Sequence, residues 1–238
     1  SEIGKNKPAW WIARYLYSSF SYSEGRVYPY SDKCICRTFE VPSTWRKFVA
    51  FDYGLADDAV FLWGALDDIN GIVYITKETR VNDLDIRSLA RVFKTDAKDV
   101  MQGGWLFPPI IDPKSGTKRD YNKKSLIELF AEEGVYFEPG YISIDARVLR
   151  TNAYINSGLL QIMDCCTGLI KELQEYKFPD KSLDKSNRSA DKPVDKDNHA
   201  INPLEWICMK LPSDPLFITR GVYSQAEALY RSNNISNR

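Results

Sequence analysis

A chain of 238 residues, 44% hydrophobic and 27% charged, has ordinary globular composition and is long enough for one large α/β domain or two small ones. Lys and Arg number 32 and Asp and Glu number 32, which excludes a global positive field for gathering nucleic acid, so any DNA binding is local or assisted by another domain. No apolar run approaches the ~18 to 20 residues of a membrane span, the first residues do not resemble a signal peptide, and the five cysteines form no C-x-x-C pair, a combination that reads as a soluble intracellular protein with reduced thiols.

Residues 1 to 45 are rich in aromatics and turn formers (Trp10, Trp11, Tyr15, Tyr28, Tyr30), which predicts an arm that packs across a domain without a core of its own. The domain proper is expected over residues 46 to 211. Phe48-Val49-Ala50-Phe51 is an apolar run ending in Asp52-Tyr53-Gly54, followed by runs at 59 to 65 and 71 to 75, with Asn70-Gly71 between them. Asn-Gly between β-rich runs signals a hairpin, so three successive antiparallel strands are predicted. From Asp83 the period becomes helical through Leu84, Ile86, Leu89, Ala90 and Phe93, with Asp83 or Asp85 placed to cap.

A strand ending at Ile111-Asp112, a helix from Ser125 to Glu133 closed by Gly134, and a strand at Val135-Tyr136-Phe137 then form a strand-helix-strand unit, the mark of parallel additions to a sheet. Further elements are predicted as a helix over 146 to 156, a strand over 159 to 162 and a helix over 167 to 176. Residues 177 to 198 interleave bases with acids and lack large apolar side chains, which indicates an exposed loop or hairpin. A last helix is expected from His199 to about Leu211, followed by a polar tail over 212 to 238.

Three acids stand at the ends of elements: Asp52 after the first core strand, Asp112 after the fourth, and Asp197 before the last helix. If the first and fourth strands are neighbours, two carboxylates meet at one edge and the helix brings the third. Clustered carboxylates repel unless a cation neutralises them, and hard oxygen ligands favour Mg²⁺ or Mn²⁺ over zinc. Two such ions activate water and stabilise the leaving oxygen in phosphodiester cleavage. Each acid also has a bland reading, as a turn or helix cap. His199, the only histidine, lies where it could contact metal or phosphate, or serve as a surface cap. Lys181, Lys185, Arg188, Lys192 and Lys196 in the preceding loop form a candidate DNA clamp, against a solvated-linker alternative.

Four segments in order, Phe51-Asp52-Tyr53-Gly54, Ile111-Asp112-Pro113, the stretch 169 to 176, and the stretch 192 to 204 around Asn198-His199-Ala200-Ile201-Asn202, resemble the nuclease domain of tailed-bacteriophage terminase large subunits. Together with Glu24-Gly25-Arg26-Val27-Tyr28-Pro29 the resemblance spans about residues 10 to 211. It implies an α/β ribonuclease H-like mixed sheet, three antiparallel strands followed by parallel ones, flanked by helices. It further implies a divalent-metal-dependent endonuclease that cuts concatemeric double-stranded viral DNA during packaging, using two Mg²⁺ or Mn²⁺ ions held by Asp52, Asp112 and Asp197 with His199. The implied partners are the terminase ATPase domain, the portal and the small terminase subunit. The implied location is the cytoplasm of the infected host, transiently on the procapsid portal.

The family usually has Asp immediately before the histidine and again three residues after it, where this chain has Asn198 and Asn202. Asp197, one place earlier, is the expected substitute, with Asp195 the lesser candidate. The phosphate loop G-x-x-x-x-G-K-[ST] of the packaging ATPase does not occur, so a separated, monomeric nuclease half of a larger motor is expected. Competing readings are a docking module that kept the fold and lost the chemistry, a resolvase or transposase-type nuclease, and an actin-like ATPase. The last lacks its second glycine-rich phosphate turn.

Overall fold

The structure, a computed structural model, describes residues 25–29, 31–54, 58–100, 103–118, 124–179, 193–194, 196 and 198–212. Asp195, Asp197, Lys181, Lys185, Arg188 and Lys192 lie outside these residues, as do most of the arm and the tail. The core of the molecule is an antiparallel meander of β2 (Arg46–Asp52), β3 (Ala59–Asp67) and β4 (Ile72–Val81). The predicted Asn-Gly turn joins the last two: Gly71 takes φ 68°, and Asp67 accepts hydrogen bonds from Ile69 N–H (3.0 Å), Asn70 N–H (3.1 Å) and the Asn70 side chain (2.6 Å). A register shift falls between Trp63 and Gly64, where a Cβ on Gly64 would collide with the Phe48 ring and the Tyr74 carbonyl.

β4 runs on to Val81, well past the expected end at Ile75. The apolar run stops there, but the ladder to β3 does not, because polar partners wait on both sides. Asp96 accepts from Lys77 Nζ and from the Thr79 hydroxyl, both at 2.6 Å. Arg80 and Glu78 join an ionic cluster on the opposite face.

Four short strands complete the sheet: β1 (Ile35–Cys36), β5 (Ile110–Ile111), β6 (Glu138–Pro139) and β7 (Leu160–Met163), in the order β1-β7-β4-β3-β2-β5-β6. All four pair in parallel with their neighbours. β6 lies after the expected strand at Val135 to Phe137. Val135 and Phe137 are buried in the core, so their alternation reported packing, while Pro139 sits on an edge strand, where a missing N–H costs no ladder bond. β1 draws part of the arm into the sheet beside β7.

Helices cover both faces, which explains why every residue of β3 is buried. On one face, α1 (Ile86–Val100) and α3 (Leu126–Glu132) enclose Val49, Phe51, Phe61 and Trp63. Ser125 and Glu128 form a capping box at the start of α3. On the other, α4 (Ile144–Ser157), α5 (Thr167–Glu175) and α6 (Ile201–Lys210) enclose Phe48, Ala50, Val60 and Leu62. The short α2 (Pro113–Thr117), absent from the sequence reading, follows β5. Among the described residues no helix is long and apolar enough to cross a membrane. The five cysteines form no disulfide.

Candidate metal centre at the ends of two parallel strands

β2 and β5 are neighbours, as the site requires. Ala50 pairs with Ile110 and Phe51 with Ile111, and the Asp112 N–H donates to the Phe51 carbonyl at 3.1 Å. Side chains alternate along a strand, so Asp52 follows Ala50 and Asp112 follows Ile110 onto the face covered by α6. Two carboxylates thereby meet at the carboxyl ends of adjacent parallel strands. One Asp112 oxygen also accepts the Lys114 N–H at 3.1 Å, so this residue caps the start of α2 as well.

Asp52 is buried, and its carboxyl is held above the ordinary carboxylate range. Burial is the largest cause and the charge of Asp112 adds to it, while hydrogen bonds from His199 and from the Asn202 side chain oppose it. His199 Nδ1 lies 3.4 Å from Asp52 Oδ2. The histidine therefore faces the first acid, at the approach to α6, rather than standing as a surface cap.

Asn202, in the first turn of α6, is the second contact of Asp52, after His199. Its Oδ1 accepts from Arg147 Nη1 at 3.4 Å and its Nδ2 donates to Asn198 Oδ1 at 3.5 Å. With its oxygen turned to Arg147, Asn202 meets Asp52 as a hydrogen-bond donor. Arg147 is itself buried and approaches Glu205, with Nε 3.2 Å from Oε2. The other oxygen of Glu205 accepts the Tyr28 hydroxyl at 2.5 Å. Burial pushes the Glu205 carboxyl up to about 7, against the pull of Arg147. The signal for this cluster was a lone Glu inside Leu204-Glu205-Trp206-Ile207, a charge on an otherwise apolar run.

Among the described residues no three His, Cys, Asp or Glu side chains are gathered closely enough to hold an ion by themselves. The donor set nevertheless suits a hard divalent cation: two carboxylates that repel each other, with an imidazole beside one of them. Of the five candidate DNA-contacting cations only Lys196 is described, and its N–H donates to the Val194 carbonyl at 3.0 Å.

A mixed sheet of three antiparallel strands extended by parallel ones, with helices on both faces and acids at the ends of β2 and β5, is the ribonuclease H-like nuclease fold. Solved structures of phage large terminases share it. The large terminase from a thermophilic bacteriophage matches with a TM-score of 0.66 and 19% identity over 79% of this chain and 45% of that one. The P22 large terminase nuclease domain matches with a TM-score of 0.62 and 13% identity over 84% of this chain and 97% of that domain. The large terminase nuclease from thermophilic phage G20c with bound cobalt matches with a TM-score of 0.56 and 14% identity over 79% and 98%. This chain thus spans less than half of the first of these proteins and nearly the whole of the isolated nuclease domains. No protein-family model matches the sequence. No curated protein matches it either.

Proposed function

We propose that this chain is the nuclease domain of a phage terminase large subunit, a divalent-metal-dependent endonuclease that hydrolyses phosphodiester bonds of double-stranded viral DNA during packaging. The observation that carries this reading is the convergence of Asp52 and Asp112 at the ends of neighbouring parallel strands, in a fold shared with a terminase nuclease that binds cobalt. Asp52, Asp112 and Asp197 hold Mg²⁺ or Mn²⁺, two ions in the working complex, with His199 alongside. When bound, the ions supply Lewis acidity and lower the pKa of water to make a nucleophile. The protein's own part is to hold the Asp52 carboxylate in place through His199 and Asn202, and to withhold bulk water with the buried walls of β2 and α6.

Lys181, Lys185, Arg188, Lys192 and Lys196 are proposed as phosphate contacts of the duplex, where neutralised phosphates add affinity in a salt-dependent way. The zero net charge fits delivery of DNA by the rest of the motor: the ATPase domain, the portal and the small subunit, in the cytoplasm of the infected host. A second reading, a docking module without the chemistry, is favoured by one observation, that Arg147 occupies the Asn202 oxygen.

Supercoiled plasmid incubated with the protein and Mn²⁺ or Mg²⁺ separates the two. The nuclease reading expects nicking and linearisation by the wild type and none by Asp52→Ala or Asp112→Ala, with Asp197→Ala impaired. Folded wild-type protein that leaves the plasmid as intact as the variants do supports the docking module instead.

A further inference from the structure

Helix α6 brings Asn202 to Asp52 and His199 stands just before it, yet the helix has no capping side chain of its own. Ala200 is its N-cap, and no side chain at that position accepts from the first turn. The cap comes from α5. Glu172 Oε2 accepts hydrogen bonds from the Ala200 N–H at 2.8 Å and the Ile201 N–H at 3.2 Å, placing a carboxylate against the positive end of α6. Its other oxygen accepts from Arg80 Nη2 at 2.5 Å. Both oxygens of a buried carboxylate are thus committed, one to the helix and one to a cation.

Arg80 is on β4, in line with Asp52 across the sheet, since Val60 pairs with Asp52 on one side and with Arg80 on the other. Its Nε donates to Glu78, and Glu78 accepts the Leu169 N–H at 2.9 Å in the first turn of α5. Its Nη1 lies 3.5 Å from Asp58, just before β3. One planar guanidinium therefore ties together two carboxylates, each bound to the amino end of a helix, a task that suits its fork of donors. The close approach of α5 depends on Gly168, where a Cβ would collide with Arg80 and Glu78.

We propose that Arg80 and Glu172 are positioning residues for the metal-binding edge, clamping the backbone at Ala200 and Ile201 and so setting where His199 and Asn202 stand against Asp52. This rests on the metal-centre reading above. Neither residue is placed to touch the ion. Their effect is transmitted through the start of α6, where a one-residue slip would turn the side chains by about 100°. Partners behind the ligands of a metal site have effects of this kind, with about 10- to 100-fold losses of metal affinity when they are removed.

The test uses the whole chain, with Glu172→Gln, Arg80→Lys and Gly168→Ala. Gly168→Ala disturbs the clamp without changing its charges and serves if Glu172→Gln does not fold. Three quantities are read: amide exchange at Ala200 and Ile201, broadening of the ring signals of His199, the only histidine, by Mn²⁺, and Mn²⁺ affinity by calorimetry. In folded Glu172→Gln the clamp account expects faster exchange at both amides and about 10- to 100-fold weaker Mn²⁺ binding, with less broadening of His199. Arg80→Lys, which keeps the charge and loses the fork, falls between it and the wild type.

A residue with a merely structural role would lower the melting temperature and leave the affinity of the folded protein unchanged. Wild-type exchange and wild-type Mn²⁺ affinity in folded variants overturn the clamp alone. Absence of Mn²⁺ binding by the wild type overturns the metal-centre reading, and the clamp with it.

Discussion

Phe51 and Asp52 are adjacent residues of one strand, and they look into two different chemistries. Phe51 points into a cluster of rings, stacked on Phe61 at 4.1 Å between centroids and flanked by Phe130 and Phe137. Asp52 points the other way, to Asp112, His199 and Asn202, above the buried Arg147 and Glu205. The first face stabilises the fold by removing apolar surface from water. The second brings charges together out of water, which costs stability unless they are paired. The difference suggests that β2 is held by one face so that the other can carry strain.

Substitutions on the two faces should therefore separate stability from binding. Phe51→Ala has the largest expected effect, a loss of about 3–5 kcal/mol of stability from lost burial and the cavity left among the rings. Chemical denaturation measures it, and the Mn²⁺ affinity of the remaining folded protein should be unchanged. A parallel loss of affinity would mean that the two faces are not independent.

Arg147→Met comes next, at about 3 kcal/mol, because it leaves Glu205 buried without its cation. The loss sits at the lower end of the usual range since Glu205, already pushed up to about 7, can take a proton. A carboxyl whose folded pKa is raised stabilises fully below its unfolded pKa and loses that contribution as pH rises through the folded value. The variant should accordingly be hurt more at pH 8 than near pH 5, a comparison of melting temperatures. Unlike Phe51→Ala, it should also change Mn²⁺ affinity, because Asn202 loses its partner.

The smallest effect is a gain. The Asp52 carboxyl is raised by burial and by Asp112, so its ionisation opposes folding as pH rises through the raised value. Metal-free Asp52→Asn should then melt higher than the wild type at neutral pH and show a flatter dependence on pH. An Asp52→Asn protein that melts lower would contradict the idea that this face is strained.

Much of this was legible in the sequence where the determinants are local. Asn70-Gly71 announced the hairpin, Ser125 the start of α3, and Gly134, with φ 73°, closed that helix. Asp52 and Asp112 stood out because an acid ending an apolar strand is a local pattern. What was not legible depends on partners far apart in the chain. β4 continues through polar residues because Asp96 receives Lys77 and Thr79. Glu172 caps a helix 28 residues away, and Arg80 meets it across 92. The two-residue strands at Ile35 and Glu138 carry too few side chains for any period to show. Asn202 read as a departure from a family pattern, and its donor role toward Asp52 emerged only once Arg147 stood behind it.

The central claim is that Asp52 and Asp112 converge to hold a divalent cation. Calorimetric titration of Mn²⁺ into the wild type, Asp52→Asn and Asp112→Asn tests it most directly. Saturable heat in the wild type, lost in Asp52→Asn and weakened in Asp112→Asn, is the expected result. Identical heats in all three folded proteins would contradict it.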